Sequence, residues 1–515
     1  MLLVCLGLLL AARSAGCAAE SPASAAVTAE RAGTAQGDRP NVLLVTADDM
    51  RADDLRFMPF TRGEFRRRGV TFADGLSPYP LCCPARAQIV TGQYNHNNGV
   101  LGNSWPSGGY WALRDRDNTL PVWLARNGYL TGFVGKYMNE YGRPVENLPE
   151  PHDRLQCRQT DEVPSGWRHW YAGIQSVYAY THVLMNVDTP TSDPHPVFVG
   201  RYQTDYFSDV TSELIRRYHR ADRPFFIWAS HLAPHVSRTD DGVWGPPVPA
   251  PEDQGVYDRL SLPRNSAYRA AVNAPATGKF GPMRQLRAVS LPDVLEEHRR
   301  RAESLRSLDR AVKAAVGQLR RSHEYANTVI IFTSDNGYML GEHRYRGKDM
   351  PYEPAVRVPM IVNAPSIEQR YTGADTRGAL TVPYTVTTTD IAATIVGVTG
   401  IEPGRTLDGI DMTRPAQNPD HRGGDRAVLL ESGPGEGAPL GAQEFVGVRT
   451  NRWTWLAWNW AAQGTEHSPA ELYDRRVDPS QTRNLTEPSP VKQRLRGLVL
   501  QMRECEGPTC VRNLR

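Results

Sequence analysis

Asn41-Val42-Leu43-Leu44-Val45-Thr46-Ala47-Asp48-Asp49 is the stretch on which the reading of the fold turns. From Asn41 to Val45 it is a continuous run, mostly apolar, with β-branched residues and no polar alternation, which predicts a strand buried on both faces. The run closes on two adjacent carboxylates, Asp48 and Asp49, placed at the C-terminal end of that strand. The same design recurs three times downstream. Leu120 to Asn127 has helical spacing before Gly128, Tyr129 to Val134 reads as a strand, and Gly135-Lys136 lies just beyond it. A helix from about Asp205 to Tyr218 leads into the strand Phe225 to Ala229, followed by Ser230-His231-Leu232-Ala233-Pro234-His235. Leu305, Leu308, Val312, Val316 and Leu319 share one helical face ahead of the strand Val329 to Phe332, which ends in Thr333-Ser334-Asp335-Asn336-Gly337. Helix-strand units with polar residues just past the strand ends describe an α/β protein with a large doubly wound sheet flanked by helices. In such a sheet ligands bind outside the carboxyl ends of the strands, so the four polar clusters are expected to converge.

The rest of the chain is read outward from that core. Ordered structure is expected to begin at Arg39-Pro40. Met1 to Ala12 is an apolar run too short to span a bilayer and, with the small residues up to Cys17, reads as a secretory signal over residues 1–17. Ser14-Ala15-Gly16-Cys17 also resembles a bacterial lipoprotein processing site with Cys17 as the lipid acceptor, although Ser14 stands where that pattern prefers an aliphatic residue. Residues 18–38, rich in Ala, Ser and Thr, have little to bury and read as a disordered spacer. Residues 39–415 form the expected catalytic domain. Within it, the Pro- and Gly-rich stretch 236–290 reads as an insertion or a long active-site loop. After about residue 415 the texture changes to linkers and short strands, Phe445 to Arg449 and Trp453 to Trp458, with a terminal helix near Val491 to Met502. A smaller C-terminal α+β subdomain is expected over 416–515.

Among 515 residues, 59 basic and 56 acidic side chains leave a formal charge of +3, so no global field points to nucleic acid or to a membrane surface. Electrostatics must act locally. Of the basic residues only Lys136, Lys279, Lys313, Lys348 and Lys492 are lysines, so a lysine kept within a motif is informative, because an ammonium and a guanidinium are not interchangeable.

The strongest local signal is Cys82-Cys83-Pro84-Ala85-Arg86, continuing to Thr91-Gly92. Pro84 suits a first helical turn and Gly92 a C-cap, which puts Cys82 at a helix N-terminus, where anions are favoured. Asp48, Asp49, Asp335 and Asn336 offer only hard oxygen ligands, the set preferred by Ca²⁺ or Mg²⁺. Taken singly, a Cys pair before a helix is a structural feature and an Asp-Asp or Asp-Asn pair after a strand is a turn or a helix cap. Their joint presence is what carries chemistry.

The CxPxR run followed by Thr-Gly resembles the signature of the sulfatase family, in the alkaline-phosphatase-like superfamily. The resemblance runs from about residue 39 to 490, through Leu472-Tyr473-Asp474 and Asp478-Pro479. Within that family, Leu81-Cys82-Cys83-Pro84, Gly135-Lys136-Tyr137-Met138-Asn139-Glu140-Tyr141-Gly142, Gly166-Trp167 with Trp170-Tyr171-Ala172, and Ser334-Asp335-Asn336-Gly337-Tyr338 are most similar to N-acetylglucosamine-6-sulfatase-like arylsulfatases. The resemblance implies that a formylglycine-generating enzyme converts Cys82 to formylglycine. A soft thiol is a poor partner for a hard cation, whereas the hydrated aldehyde supplies oxygen. It implies that position 82 joins Asp48, Asp49, Asp335 and Asn336 around a divalent cation, Ca²⁺ or Mg²⁺. One hydroxyl of the hydrate then attacks sulfur, and the other expels sulfate. It assigns the neutralisation of substrate charge to Lys136, His235 and Lys348, with His235 or Lys348 as proton donor, places His343 at the substrate, and has Arg86 hold the hydrate. Met138 stands where many sulfatases have a histidine two residues after the lysine. The glucosamine-6-sulfatase-like members share the Lys-x-x-Asn form completed here by Asn139, and the base for sulfate elimination is left unassigned.

The implied partner is a sulfated carbohydrate, with 6-O-sulfated N-acetylglucosamine as the lead, or an aryl sulfate. The chain is expected to be secreted or held in the cell envelope, touching membrane only through an N-terminal lipid on Cys17. Two other readings stay open: a phosphonate or phosphate ester hydrolase of the same superfamily, and a catalytically silent protein that binds sulfated glycans. Cys505 and Cys510, bracketing Glu506-Gly507-Pro508-Thr509, can close a small disulfide loop, and a pairing of Cys83 with Cys157 would leave Cys82 as the single unpaired thiol.

Overall fold

Alternate residues of the first strand, β1 (Asn41–Ala47), face two different apolar cores. Leu43, Val45 and Ala47 join one cluster, and Val42 and Leu44 join another on the opposite face. This computed structural model describes residues 39–142, 162–175, 177–275, 278–279, 281–364, 380–417, 425–433, 444–459 and 469–514. The expected signal over 1–17 with Cys17, the expected spacer over 18–38, and Cys157 lie outside the described residues.

The chain continues through β2 (Val70–Leu76), β3 (Leu130–Gly135), β4 (His169–Gln175), β5 (Val183–Thr189), β6 (Ser192–Val199) and β7 (Phe225–Ser230). A short hairpin, β8 (Ser237–Arg238) with β9 (Trp244–Gly245), precedes β10 (Thr328–Ser334). A second, β11 (Met339–Leu340) with β12 (Arg346–Gly347), follows it, and then come β13 (Arg357–Asn363) and β14 (Leu380–Thr387). Ten of these strands form one mixed sheet in the order β14-β2-β13-β10-β1-β7-β3-β4-β5-β6. The centre, from β10 to β4, is parallel. Antiparallel pairing begins at β13 on one side and at β5 on the other. Strands β1, β3, β7 and β10 are buried along their whole length, as continuous runs covered by helices must be.

One covering layer contains helices Gln203–His219 and Leu291–Arg321, which bring Phe207, Leu214, Ile215, Leu305, Leu308, Val312, Val316 and Leu319 onto Leu43, Val45, Ile227, Ile330 and Phe332. The opposite layer contains helices Cys82–Thr91 and Asp390–Thr399, with Ile89, Val90, Ile391 and Ile395 over Val42, Leu44, Trp228 and Ile331. The doubly wound arrangement expected from the strand pattern is therefore present, as is the mixed character that the antiparallel flanks add.

A second, all-antiparallel sheet is built from β15 (Asp425–Glu431), β16 (Phe445–Arg449), β17 (Trp453–Trp458), β18 (Ala470–Asp474) and β19 (Arg512–Leu514), ordered β18-β17-β16-β15-β19. Helix Pro490–Met502 covers one of its faces through Leu495, Leu498, Val499 and Met502. A disulfide joins Cys505 to Cys510, closing the loop that their spacing suggested. Cys83 does not pair: it is a free thiol, buried like Cys82. The stretch 236–290 holds the β8–β9 hairpin and the short helices Ser266–Ala271 and Gly281–Gln285, in addition to loop.

Candidate active site

Register brings the polar clusters together. Ala47 pairs with Ser334, Thr46 with Ser230, and Ser230 with Gly135, so β10, β1, β7 and β3 leave the sheet side by side. The first residues beyond the strands stay tied across it: the amides of Asp335, His231 and Lys136 donate to the carbonyls of Ala47, Thr46 and Ser230 at 3.2, 2.8 and 3.0 Å. Gly135 is required at the turn into Lys136, because it has φ +115° and a Cβ there would fall 1.9 Å from the Ser230 carbonyl oxygen. Asp49, not a glycine, also adopts a left-handed backbone at φ 67°, a conformation that costs energy and clusters at functional sites.

Helix Cys82–Thr91 delivers its N-terminus to the same point and ends on Gly92 in the left-handed conformation, as its sequence predicted. The Cys82 thiol donates to Asp48 Oδ1 at 3.4 Å. Lys348, reached through the β11–β12 hairpin, places Nζ 2.7 Å from Cys82 Sγ and donates to Asp49 Oδ1 at 2.6 Å. Lys136 Nζ lies 3.5 Å from the same sulfur and donates to Asp48 Oδ2. Asp48, Asp49, Cys82 and His235 each present a ligand atom, all within 4.8 Å of one another, so His235 stands with three of the five positions expected around the cation.

Arg86 braces this cluster from inside. Fully buried, it donates to Asp335 Oδ2 at 2.9 Å from Nε, to Asp48 Oδ2 at 3.3 Å from Nη2, and to Ser230 Oγ at 2.7 Å and the carbonyls of Lys136 and Tyr137 from Nη1. Its hydrogen bonds thus tie the ends of all four strands, and none of those recorded goes to Cys82. Asp335 is committed in turn: besides Arg86, its Oδ1 accepts the amides of Asp49 and Asn336 at 3.2 and 2.8 Å.

Two oxygens are left over. Asp49 Oδ2 and Asn336 Oδ1 are buried and accept no hydrogen bond. His235 Nδ1 donates to the Val236 carbonyl at 2.7 Å, which in the neutral ring leaves Nε2 as an acceptor, 3.6 Å from Asp49 Oδ2. A buried carboxylate oxygen and a buried amide oxygen without donors are an unstable pair unless something positive sits beside them. The residues present therefore fit a hard divalent cation.

Burial would raise Asp48, but Lys136, His235, Lys348 and Arg86 outweigh it and hold that carboxyl well below the usual range. Burial, reinforced by Asp48, brings Asp335 up to about 6. Burial also takes His235 down to about 4 and the Cys82 thiol up to about 12, so the sulfur is a protonated, soft group. The lysines go the other way: against the pull of burial, Asp48 raises Lys136 and Asp49 raises Lys348.

A family model described as Sulfatase matches residues 40–401. The chain belongs to the sulfatase family. It is a hydrolase of sulfate esters, and its curated relatives are named accordingly. N-acetylglucosamine-6-sulfatase of Capra hircus is 28% identical over 93% of this chain and 86% of its own length. A homolog of the extracellular sulfatase Sulf-1 from Caenorhabditis elegans is 29% identical over 72% of this chain, which spans about half (48%) of that relative. Among solved structures, a protein in complex with its substrate D-glucosamine-2-N,6-O-disulfate superposes with a TM-score of 0.69 at 18% identity, covering 90% of this chain and 98% of that one. The phosphonate monoester hydrolase of Agrobacterium radiobacter does so with a TM-score of 0.63 at 20% identity, covering 93% and 100%. At such identities the likeness is one of fold, and the fold serves more than one ester chemistry. Among the described residues no helix of the sulfatase is long and apolar enough to cross a membrane.

Of the residues singled out from sequence, Asp48, Asp49, Cys82, Arg86, Lys136, His235, Asp335, Asn336 and Lys348 meet in one cluster. His343 is placed differently: it is buried against the Tyr352 ring, centroids 4.4 Å apart, with neither ring nitrogen hydrogen-bonded. Two members went unread. Ser230 links Arg86 to the Lys136 carbonyl, and its position as a polar residue closing an apolar strand was the available signal. Tyr178, given no role of its own from sequence, carries Lys136 Nζ 4.8 Å from its ring centre, and its place in the aromatic stretch from Trp167 to Tyr180, expected to bear on specificity, was the available signal.

Proposed function

We propose that this sulfatase removes sulfate from carbohydrate, with 6-O-sulfated N-acetylglucosamine as the lead substrate, using a formylglycine made from Cys82 beside a divalent cation, Ca²⁺ before Mg²⁺. The reading is carried by the pair of donor-less oxygens, Asp49 Oδ2 and Asn336 Oδ1, buried beside a cysteine that two lysine ammonium groups flank. Asp48, Asp49, Asp335, Asn336 and position 82 would hold the ion, with His235 at its edge. Bound there, the cation would supply Lewis acidity and fixed positive charge, and a hydrated aldehyde at position 82 would supply one hydroxyl as the nucleophile toward sulfur and a second for the release of sulfate.

The remaining work falls to this chain's own side chains. Arg86, Lys136 and Lys348 face Asp48, Asp49 and Asp335, three cations against three carboxylates, so an added dication gives the site the surplus positive charge that an anionic ester needs. Lys136 and Lys348, kept protonated, stabilise charge on the ester and on the departing oxygen. His235, fixed by its Nδ1–H bond to Val236, turns an unprotonated Nε2 toward the reacting groups, and of the two candidate donors it is Lys348, held protonated, that gives its proton to the alcohol. Arg86 acts by holding Asp48, Asp335 and the ends of β7 and β3 in place. Export to the cell exterior or envelope fits relatives named extracellular sulfatases.

Mass spectrometry of the Cys82 peptide from protein exported by its native host, coupled to sulfate release from 6-sulfated N-acetylglucosamine and from an aryl sulfate, tests the reading. Thiol-to-aldehyde conversion with activity lost in Cys82→Ala is the expected result. An unmodified Cys82 in protein that still cleaves esters would overturn the formylglycine mechanism in favour of phosphonate or phosphate ester hydrolysis. An unmodified and inactive protein would point to a sulfated-glycan binder.

A further inference from the structure

Three rings lead from the buried carboxylates to solvent. His235, against Asp49, is covered by Tyr178 with centroids 4.8 Å apart, and Trp244 lies 5.3 Å from Tyr178 and 6.1 Å from His235. Exposure rises along the series: His235 is buried, Tyr178 half-buried, and Trp244 52% exposed. The indole is held, not free. Arg238 and Trp244 are cross-strand partners in the β8–β9 hairpin, the Arg238 guanidinium sits 5.4 Å from the indole centroid, and the Arg238 amide donates to the Tyr178 carbonyl at 3.0 Å. An exposed tryptophan fixed in orientation beside a reaction centre is a preformed apolar surface.

On the Lys136 side of Tyr178 there is a cavity of about 110 Å³, lined in part by Asn103, Ser104, Lys136, Asn139, Glu140 and Tyr178. Asn139 Nδ2 reaches the Tyr178 hydroxyl at 3.5 Å, while its Oδ1 is buried and accepts no hydrogen bond. An apolar wall next to a few placed polar atoms is the usual make-up of a small-ligand site. Here the combination matches a pyranose, which has an apolar C–H face and a rim of O–H or N–H donors. An aryl group offers the face without the donors.

We propose that Tyr178 and Trp244 form a saccharide-binding wall: the sugar ring that bears the sulfate lies against them, its ester directed to Lys136 and His235, and Asn139 Oδ1 accepts a hydroxyl or amide N–H from the sugar. This deepens the carbohydrate-sulfate reading above and rests on it. The wall makes Trp244 and Asn139 determinants of specificity for the sugar, separate from the groups that take the sulfate.

Binding in a Cys82→Ala background, which needs no turnover, tests this by calorimetric titration with 6-sulfated N-acetylglucosamine and, separately, inorganic sulfate in the presence of Ca²⁺. Trp244→Ala is expected to weaken the sugar about fivefold to tenfold, Trp244→Phe to stay within about twofold of the parent, and Asn139→Ala to weaken it about fivefold. None should alter inorganic sulfate. Unchanged sugar affinity in Trp244→Ala would overturn the proposal, as would a proportionate loss of sugar and sulfate together, or a parent that binds sulfate but not the sugar. If Trp244→Ala selectively weakens the sugar although the unsubstituted protein releases no sulfate from it, the wall stands and the assigned substrate falls. If sulfate is released and Trp244→Ala is silent, the wall alone falls.

Discussion

Lys136 at the active site and Lys279 beside the five-stranded sheet are buried and Lys348 is half-buried, yet their affinities for the proton move in opposite directions. Lys136 and Lys348 stand directly against Asp48 and Asp49, and both are held above the ordinary lysine range. Lys279 donates instead to the Tyr473 hydroxyl at 2.9 Å and the Gln481 carbonyl at 3.0 Å. Its Nζ rests 3.9 Å from the Tyr352 ring centre, with Glu471 no nearer than 3.8 Å. There burial prevails and brings it down to about 8. Neutral partners satisfy hydrogen bonds but do not repay the desolvation of a charge; adjacent carboxylates do. The active site sets each of its lysines directly against a carboxylate, whereas Glu471 stands 3.8 Å from Lys279 and is engaged by the Tyr352 and Tyr473 hydroxyls.

The widest separation between the two regions is expected in activity. Cys82→Ala should lower sulfate release by more than about 10³-fold while leaving the thermal midpoint near that of the parent, whereas Lys279→Met should stay within about twofold of parent activity. Comparable losses in both would mean that the Lys279 pocket reaches the chemistry, and the comparison would break. Lys348→Met should reduce kcat/KM by about 10² to 10³-fold. In chelated protein it should also cost about 3 kcal/mol in urea unfolding, because Asp49 loses its ammonium partner inside the fold. Chelation of the wild-type protein should abolish sulfate release, and Ca²⁺ at 100 times its Kd should restore about 2.7 kcal/mol of stability, read as a concentration-dependent midpoint in calorimetry. Lys279→Met, which touches none of the ion's oxygens, should show the same Ca²⁺ response as wild type.

The smallest effect sharpens the comparison through pH. Because the folded-state value for Lys279 lies near 8 and the unfolded value near 10.5, the unfolded chain binds more protons between those limits, and stability from this group rises with pH across them. Wild type should gain about 1.5 kcal/mol relative to Lys279→Met between pH 8 and 9.5, measured by urea unfolding at each pH. A flat difference would place Lys279 with the lysines that burial has not brought down and remove the contrast.

Local pattern made much of this legible. Apolar continuity predicted β1, β3, β7 and β10 to within a residue or two of where they lie, and Pro84 and Gly92 bracketed the helix that begins at Cys82. The strand-end residues Asp48, Asp49, Lys136, His235, Asp335 and Asn336 followed from the rule that ligands gather at carboxyl ends. Strands β4, β5 and β6 were not read: β6 is half exposed, and its Pro-containing run carries little alternation. Arg86 was expected to hold the hydrated aldehyde, and its partners turned out to be strand ends from four places in the chain. His343 sits in a hairpin that sets its ring against Tyr352, itself packed among residues of the five-stranded sheet, a contact that only the packing of distant segments creates.

By itself, then, the sequence determined the buried parallel strands, the polar residues at their ends and the cysteine at a helix N-terminus, because each is a property of a few consecutive side chains and the backbone conformation they favour. The tertiary structure alone decided which lysines hold their protons more tightly and which less, which oxygens are left without donors, and that Tyr178 and Trp244 line the way to His235. Those outcomes depend on dielectric, distance and hydrogen-bond competition among residues tens to hundreds of positions apart, and such quantities exist only once the chain has packed.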